Sequence, residues 1–229
     1  MSKKSLFIAD LHLQASNPEK NTRFIHFLET TAQNAQALYI LGDFFEVWLG
    51  DDDNADYLKA IKAALKNYTT KHKLYFMRGN RDFMLGKKFC DETGIELIDD
   101  PTVININNTP TLLTHGDIYC SDDPWHLRYR KVVNNKFLQY FVLLLPLRTR
   151  KFLASILRKR SKKNRVNNPK QSYDIPFETL VNTMQQYQVT QLIHGHIHKE
   201  IKQEVVIDEV LCKRFSLPEW NNQEDALLM

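Results

Sequence analysis

Candidate metal ligands follow five short apolar runs of the sequence. Each motif alone is weak, because an aspartate or asparagine after a strand commonly forms a turn or caps a helix. Loops after the carboxyl ends of parallel strands meet at one edge of a sheet, so such motifs can converge in space. Their joint occurrence predicts a single metal centre. The motifs are Asp10-Leu11-His12, Gly42-Asp43, Gly79-Asn80-Arg81-Asp82, His115-Gly116-Asp117 and His194-Gly195-His196-Ile197-His198.

The donor atoms of these motifs are imidazole nitrogens, carboxylates and an amide, without sulfur. Such a set suits Mn²⁺, Fe²⁺, Zn²⁺ or Ni²⁺ rather than a structural zinc held by cysteines. Seven side chains of this kind are too many for one ion, but one shared carboxylate, which we interpret as Asp43, makes two four-ligand sites. Two ions about 3.5 to 4 Å apart activate water and offset charge on an in-line phosphoryl transition state. The motifs therefore predict hydrolysis of a phosphoester or phosphoanhydride.

The elements that position these motifs alternate along the chain. Apolar runs predict strands at 6–9, 37–41, 74–77, 111–114 and 191–193. Apolar residues at three- and four-residue spacing predict helices at about 19–35, 55–68 and 177–188. A strand at 102–106 with a turn at 107–110 predicts a hairpin. This order indicates a layered α/β fold with a mixed sheet.

The formal charge of +4 hides a strong asymmetry along the chain. Residues 124–170 hold 14 Lys or Arg and no Asp or Glu, so the rest of the chain, with all 27 acidic residues, is acidic. Aromatic and aliphatic residues recur in this segment at helical spacing on both sides of Pro146, which predicts two amphipathic helices. We interpret 1–122 and 171–229 as the core, and 123–170 as a basic helical insertion that packs on the core, faces lipid, or does both.

Composition also bounds the cellular setting. The three cysteines, Cys90, Cys120 and Cys212, lack CxxC spacing, which disfavours a disulfide framework and suits a reducing cytosol. The apolar run at 6–9 is too short for a signal peptide, and the uncharged run at 140–147 is far shorter than a membrane span. Nothing in the sequence fixes the oligomeric state, and we favour a monomer.

The five motifs resemble those of the calcineurin-like metallophosphoesterases. Longer runs at 7–13, 37–46, 50–53, 79–87 and 192–198 resemble, within that superfamily, the diphosphatases of lipid A biosynthesis. The resemblance covers nearly all of residues 5–200. It implies an α-β-β-α sandwich with a helical lid insertion. It also implies hydrolysis of the pyrophosphate of UDP-2,3-diacylglucosamine to 2,3-diacylglucosamine 1-phosphate (lipid X) and UMP, by attack of water on the α-phosphorus, usually with Mn²⁺.

The same resemblance implies roles for individual residues. One metal ion would be held by Asp10, His12, Asp43 and His198, and the other by Asp43, Asn80, His115 and His196. His194 then lies outside the ligand set, which spacing alone leaves open. The implied catalytic residues are Asp43, Asn80, Arg81 and His115. The implied substrate contacts are Asn80, Arg81, Asp123, His126, Arg150, Ser161, Asn167, Lys170 and His196.

Four features of this chain depart from the wider pattern. Arg81 stands where many superfamily phosphatases have histidine, and a guanidinium suits a pyrophosphate. His126 replaces an expected tyrosine. The segment from Lys163 to Asn168 is two residues longer than usual, so the assignment of Asn167 rather than Asn164 depends on counting back from Lys170. Residues 217–220, Leu-Pro-Glu-Trp, replace the usual Leu-Gly-x-Trp, and we expect the chain to stop short of a final strand.

The basic insertion is compatible with more than one class of binding partner. With the resemblance, it predicts a lipid-linked nucleotide substrate and peripheral, salt-sensitive attachment to the anionic cytoplasmic face of the inner membrane. An alternative is a metal-dependent nuclease or nucleotide phosphodiesterase whose insertion tracks a phosphate backbone. Apolar residues at helical spacing make a nucleic acid partner the weaker interpretation. A non-enzymatic metal-bound scaffold or membrane adaptor is disfavoured by the intact ligand types.

Overall fold

Two mixed β-sheets lie face to face with helices on their outer sides, which confirms the expected α-β-β-α sandwich. The computed structural model describes residues 4–119, 132, 135–167 and 174–229, with the side chains of 158–167 excepted. None of the helices described there is long and apolar enough to cross a membrane.

The first sheet holds most of the predicted β-α units. Its parallel strands are β1 (Leu6–Ile8), β2 (Ala37–Leu41), β3 (Lys73–Met77) and β4 (Glu96–Ile98). Helices connect these strands in sequence: α1 (Pro18–Glu29), α2 (Asp56–Thr69) and α3 (Lys87–Thr93). Helix α1 ends earlier than expected, and a 3₁₀ turn, Thr31–Asn34, follows it.

The second sheet contains the predicted hairpin and two parallel strands of the site. Its strands are β5 (Thr102–Ile106), β6 (Thr109–Thr114), β7 (Gln191–His194), β8 (Ile201–Ile207) and β9 (Val210–Ser216), in the order β5-β6-β7-β9-β8. β5 and β6 are antiparallel across Asn107 and Asn108, both at positive φ, while β6, β7 and β9 run parallel. A helix at Phe177–Gln186 precedes β7.

The expectation that the chain lacks a final strand is wrong. β10 (Leu227–Leu228) pairs antiparallel with β1 and completes the first sheet in the order β10-β1-β2-β3-β4. The approach to β10 is fixed by Trp220, which is fully buried against Phe24 and Phe27 of α1. The altered 217–220 motif therefore still places Trp220 in the core.

Three apolar clusters hold the layers together. Phe7, Ala9, Leu41, Leu113 and Ile193 belong to the cluster between the two sheets. A larger cluster packs α1 and α2 on the first sheet, and a smaller one lies under the helix at 177–186 on the second. Because the strands of the first sheet are covered on both faces, they appear in the sequence as continuous apolar runs.

The basic segment contains the two predicted helices broken at Pro146. They are α4 (Lys136–Leu143) and α5 (Leu147–Asn167), and the helix before β7 is α6 (Phe177–Gln186). Many apolar side chains of α4 and α5 are exposed, among them Phe137 at 81% and Phe152 at 65%. The boundaries proposed for the insertion, at 122–123 and 170–171, lie outside the described residues and stay predictions.

Arg150 and Lys151 attach α5 to the loop after β2. The guanidinium of Arg150 is almost fully buried and pairs with the carboxylate of Asp52, while its Nε donates to the Leu145 carbonyl at 2.9 Å. Lys151 Nζ lies 2.8 Å from Asp53 Oδ2. Residues 52 and 53 thus connect the insertion to the strand that carries Asp43.

Replacement of Phe24 by alanine tests the packing of α1. The ring meets Phe44 edge to face at a centroid distance of 5.0 Å and Trp220 at 5.9 Å. Phe24→Ala should lower the free energy of unfolding by about 3 to 5 kcal/mol, because it removes buried surface and leaves a cavity. Urea denaturation measures this loss. The control is Phe177→Ala, at a ring that is 60% exposed, where a change within about 0.5 kcal/mol is expected. Equal losses of unfolding free energy in the two variants would contradict the placement of Phe24 in the core.

Candidate metal centre

The loops after β1, β2, β3, β6 and β7 meet at one edge of the two sheets. Asp10 N–H donates to the Gly42 carbonyl at 3.1 Å, and His12 N–H donates to the Asp43 carbonyl at 3.0 Å. In the second sheet, Gly195 N–H donates to the His115 carbonyl at 3.1 Å. These bonds bring the predicted ligand motifs together, as the common direction of the strands requires.

Five of the candidate ligands have left-handed backbone conformations. A non-glycine residue at positive φ costs of order 1 kcal/mol or more and persists only where the surrounding structure enforces it. The residues, with φ between 51° and 72°, are Asp10, His12, Asp43, His196 and His198. Clustering of this strain at one site supports a functional role for the site.

One group of donors comprises Asp10, His12 and His198. The Nε2 atoms of His12 and His198 are 3.3 Å apart, and His198 Nε2 lies 3.4 Å from Asp10 Oδ1. Two donor atoms that bind the same ion at about 2.1 Å, with an angle of about 105° at the metal, would lie about 3.3 Å apart. The spacing therefore fits a divalent metal ion held between these side chains.

The second group comprises Asp10, Asp43 and His115. His115 Nδ1 donates to the Leu41 carbonyl at 2.8 Å, which leaves Nε2 as the acceptor, 3.7 Å from Asp43 Oδ1. That Nε2 is buried and has no hydrogen-bond partner among the described residues. A buried unpaired imidazole nitrogen is costly, and a metal ion would satisfy it.

Asn80 and His196 complete the set beside His115. Asn80 Nδ2 is 3.2 Å from His196 Nδ1, and the rings of His115 and His196 are 5.1 Å apart. Asp10, rather than Asp43, belongs to both geometric groups. The structure thus brings all seven expected ligands together, while the assignment of Asp43 as the bridge stays a prediction.

Two acidic residues support the ligands in ways that sequence reasoning missed. Glu46 Oε2 lies 3.3 Å from His12 Nδ1, and its Oε1 accepts from Arg81 Nη1 at 3.3 Å. Asp82 is fully buried and accepts backbone N–H bonds from Gly79 and Phe44, both at 2.7 Å. In the sequence, only the closeness of Glu46 to Asp43 and of Asp82 to Arg81 could have indicated these supporting roles.

Burial and the surrounding charges shift the pKa values of the centre. Burial, together with the charge of Asp10, raises the pKa of Asp43 above its usual value. Burial alone would lower the pKa of His115, but the carboxylates of Asp43, Asp117 and Asp10 raise it to about 9. Burial would raise the pKa of Asp10, yet His198, His115 and His12 lower it overall. The carboxylates thus create a strongly negative field that suits a cation.

His194 ends β7 but belongs to neither donor group. Its Nδ1 donates to the Gly195 carbonyl at 2.8 Å, and its Nε2 accepts from Arg214 Nε at 3.0 Å. Arg214 in turn pairs with Asp174, the first described residue after the insertion. Both ring nitrogens are therefore occupied.

The remaining predicted substrate contacts differ in what the structure describes. Arg81 lies at the centre, with Nε 3.8 Å from Asp43 Oδ2. Arg150 is paired with Asp52, and its contact with substrate stays a prediction. Ser161 and Asn167 lie in the part of α5, residues 158–167, whose side chains are not described. Asp123, His126 and Lys170 lie outside the described residues.

The fold and the donor set define a metallophosphoesterase. Residues 3–200 match the calcineurin-like phosphoesterase family, and the chain belongs to that family. In particular, it is similar to UDP-2,3-diacylglucosamine hydrolases. It is 40% identical over 225 residues to the enzyme of that name from Photobacterium profundum, covering 98% of this chain and 92% of the relative. It is 39% identical over 223 residues to that from Stutzerimonas stutzeri, covering 97% and 93%.

Structural similarity to solved proteins is weaker. A protein of unknown function from Aquifex aeolicus superimposes with a TM-score of 0.45 and 19% identity, over 86% of this chain and 81% of that chain. This likeness carries no weight about function. The sequence relatives and the family match confirm the resemblance that the motifs indicated.

A pH series tests the environment of His194. Burial and the charge of Arg214 lower the pKa of His194 to about 4, whereas an unfolded histidine titrates near pH 6.5. Between these values the unfolded state binds the proton first, so acidification should lower the free energy of unfolding, by up to about 3 kcal/mol from this group.

The measurement compares wild type with His194→Gln in chelator-treated protein, by urea denaturation from pH 7 to pH 4. The wild-type curve should fall more steeply than the variant curve, since other titrating groups are common to both. Parallel curves would contradict a buried neutral His194.

Proposed function

We propose that this protein hydrolyses the pyrophosphate bond of UDP-2,3-diacylglucosamine, forming 2,3-diacylglucosamine 1-phosphate and UMP. The observation that carries the proposal is the meeting of seven metal-ligand side chains with Arg81 at one sheet edge. The names of relatives at about 40% identity over nearly the whole chain supply the substrate.

The centre would hold two divalent ions. Asp10, His12 and His198 would bind one ion, Asn80, His115 and His196 the other, and Asp43 would be shared. Nitrogen and oxygen donors suit Mn²⁺ among the first-row metals. When bound, the pair of ions activates water and offsets the negative charge of the pyrophosphate.

Arg81 would bind and orient the pyrophosphate. Its side chain is 29% exposed, and its Nη1 lies 3.3 Å from Glu46 Oε1, so the guanidinium is positioned and still reachable. Attack on the α-phosphorus expels a sugar phosphate, whose second pKa is near 6. Because this leaving group is stable as an anion near neutral pH, an arginine that neutralises charge replaces the need for a proton donor.

The insertion would face the acyl chains and the membrane surface. Exposed apolar side chains occur on both of its helices, including Phe137, Phe141 and Leu144 near α4 and Phe152 on α5. Lys136 and Arg148, both exposed, lie on the same helices. An apolar surface with basic neighbours is typical of protein segments that lie on anionic lipid.

Replacement of Asp43 by asparagine tests the proposed reaction. The change keeps the shape of the side chain and removes the charge shared by the two ions. We expect kcat/KM for UDP-2,3-diacylglucosamine with added Mn²⁺ to fall at least about 10³-fold, since metal-based charge stabilisation contributes several kcal/mol. Release of UMP is the measurement, and near-ultraviolet circular dichroism checks the fold.

The matched control is Glu209→Gln, at an exposed carboxylate on the β8–β9 turn, which should keep wild-type activity. Full activity of the folded Asp43 variant would remove the two-metal proposal. Cleavage of single-stranded DNA by wild type, without action on the lipid nucleotide, would support the nuclease alternative.

A vesicle assay tests the lipid-facing role of the insertion. Wild type should sediment with vesicles containing phosphatidylglycerol at low salt, and salt should weaken the binding. Phe137→Ser with Phe152→Ser should weaken it at least about tenfold, because each exposed ring contributes about 1.5 to 3 kcal/mol when buried in lipid. Phe177→Ser, at an exposed ring on α6, is the matched control. Wild type that stays in solution at low salt would refute this role.

A further inference from the structure

Glu219 lies between a buried lysine and a candidate metal ligand. Its Oε1 accepts from Lys20 Nζ at 2.9 Å, and its Oε2 lies 3.5 Å from His198 Nδ1. It occupies the segment where Leu217-Pro218-Glu219-Trp220 departs from the usual family pattern. Within that segment Pro218 replaces the glycine, and Glu219, at the variable position, places a carboxylate directly behind His198.

The backbone around Glu219 is firmly held. Leu217 N–H donates to the His194 carbonyl at 2.7 Å, and Trp220 N–H donates to the Ala9 carbonyl at 3.3 Å. Leu217 and Trp220 are both buried. The two anchors join this segment to the strands that carry His196 and Asp10, so the position of Glu219 is tied to that of the centre.

Lys20 restrains the carboxylate from the other side. It lies on α1, and its side chain is only 6% exposed. Lysine is rarely buried without an anionic partner, because removing an ammonium from water is costly. The Lys20 contact occupies one oxygen of Glu219 and leaves the other directed at the imidazole of His198.

His198 is the histidine of the centre that most needs such support. Its side chain is 39% exposed, whereas that of His115 is fully buried. The other ligand histidines of the two donor groups also have an acceptor near the second ring nitrogen: Glu46 for His12, and the Leu41 carbonyl for His115. Such acceptors fix the tautomer and orientation of metal-binding histidines.

We propose that Glu219, held by Lys20, is a positioning residue for His198. By accepting a hydrogen bond from Nδ1–H, it would keep the lone pair of Nε2 free for the ion that Asp10 and His12 would also bind. This selects the ligating tautomer and strengthens metal binding on that side of the centre. The inference rests on the proposed two-metal function, but its test measures metal binding rather than turnover.

The experiment is a Mn²⁺ titration of metal-free protein, followed by the electron paramagnetic resonance signal of free Mn²⁺. Wild type should bind two ions. Glu219→Ala should weaken binding of one ion by about 10- to 100-fold, the usual effect of losing such a partner, and leave the other unchanged. Lys20→Met should weaken the same ion less. The matched control is Glu224→Ala, at an exposed glutamate on the same segment, with wild-type affinity expected.

The tautomer of His198 provides a second measurement, which would not change if Glu219 had a purely structural role. In zinc-loaded, ¹⁵N-histidine-labelled protein, nuclear magnetic resonance should show His198 with its proton on Nδ1. Glu219→Ala should broaden or shift that signal, and Glu219→Gln, whose amide oxygen can still accept, should restore it in part. If Glu219→Ala fails to fold, the Gln and Lys20 variants decide the result by the same measurements.

Wild-type affinity for both ions and an unchanged His198 signal in the folded Glu219 variants would overturn the inference. Equal weakening of both ions would also overturn it, because the effect would then not be local to His198. Failure of the proposed function looks different: wild type would bind two ions but leave the lipid nucleotide intact.

Discussion

The centre depends on the burial of negative charge at the edge where the two sheets meet. Asp10, Asp43 and Asp82 are almost completely removed from water, and an uncompensated buried ion costs several kcal/mol. Part of the compensation is backbone: Arg81 N–H donates to Asp43 at 2.9 Å, and His196 N–H donates to Asp10 at 2.8 Å. The histidines add to this compensation, and metal ions bound by the donor set would complete it. The ligand loops therefore form one electrostatic unit rather than independent turns.

This unit also explains the backbone strain. Asp10 and Asp43 each accept an N–H group from another loop, and both have left-handed conformations where the chain turns at the end of its strand. The glycines beside them make close approach possible. A side chain at Gly42 would collide with the ring of His115, and one at Gly79 would collide with the carboxylate of Asp43. Strain and close packing are thus consequences of assembling ligands from two sheets.

The insertion is connected to this unit through three consecutive aspartates after β2. Asp51 accepts the N–H groups of Gly86 and Phe89 at the start of α3, both at 3.0 Å. Asp52 pairs with Arg150, and Asp53 pairs with Lys151. One short loop therefore fixes a core helix and the first turn of α5. Val142 of α4 also packs against the core, while many other apolar side chains of the described insertion are exposed.

The sequence by itself determined the ligand types, the strands that carry them and the two helices around Pro146, because these are local patterns of polarity and spacing. It did not reveal β4 or β10, which are only three and two residues long, or β8 and β9, in which charged and apolar residues mix. Only the tertiary structure decided that Arg150 is buried against Asp52, that Asp82 organises two loops, and that Glu219 stands behind His198. The physical reason is distance along the chain: Lys20 and Glu219 are 199 positions apart, and no local pattern records a contact that exists only after both sheets have packed.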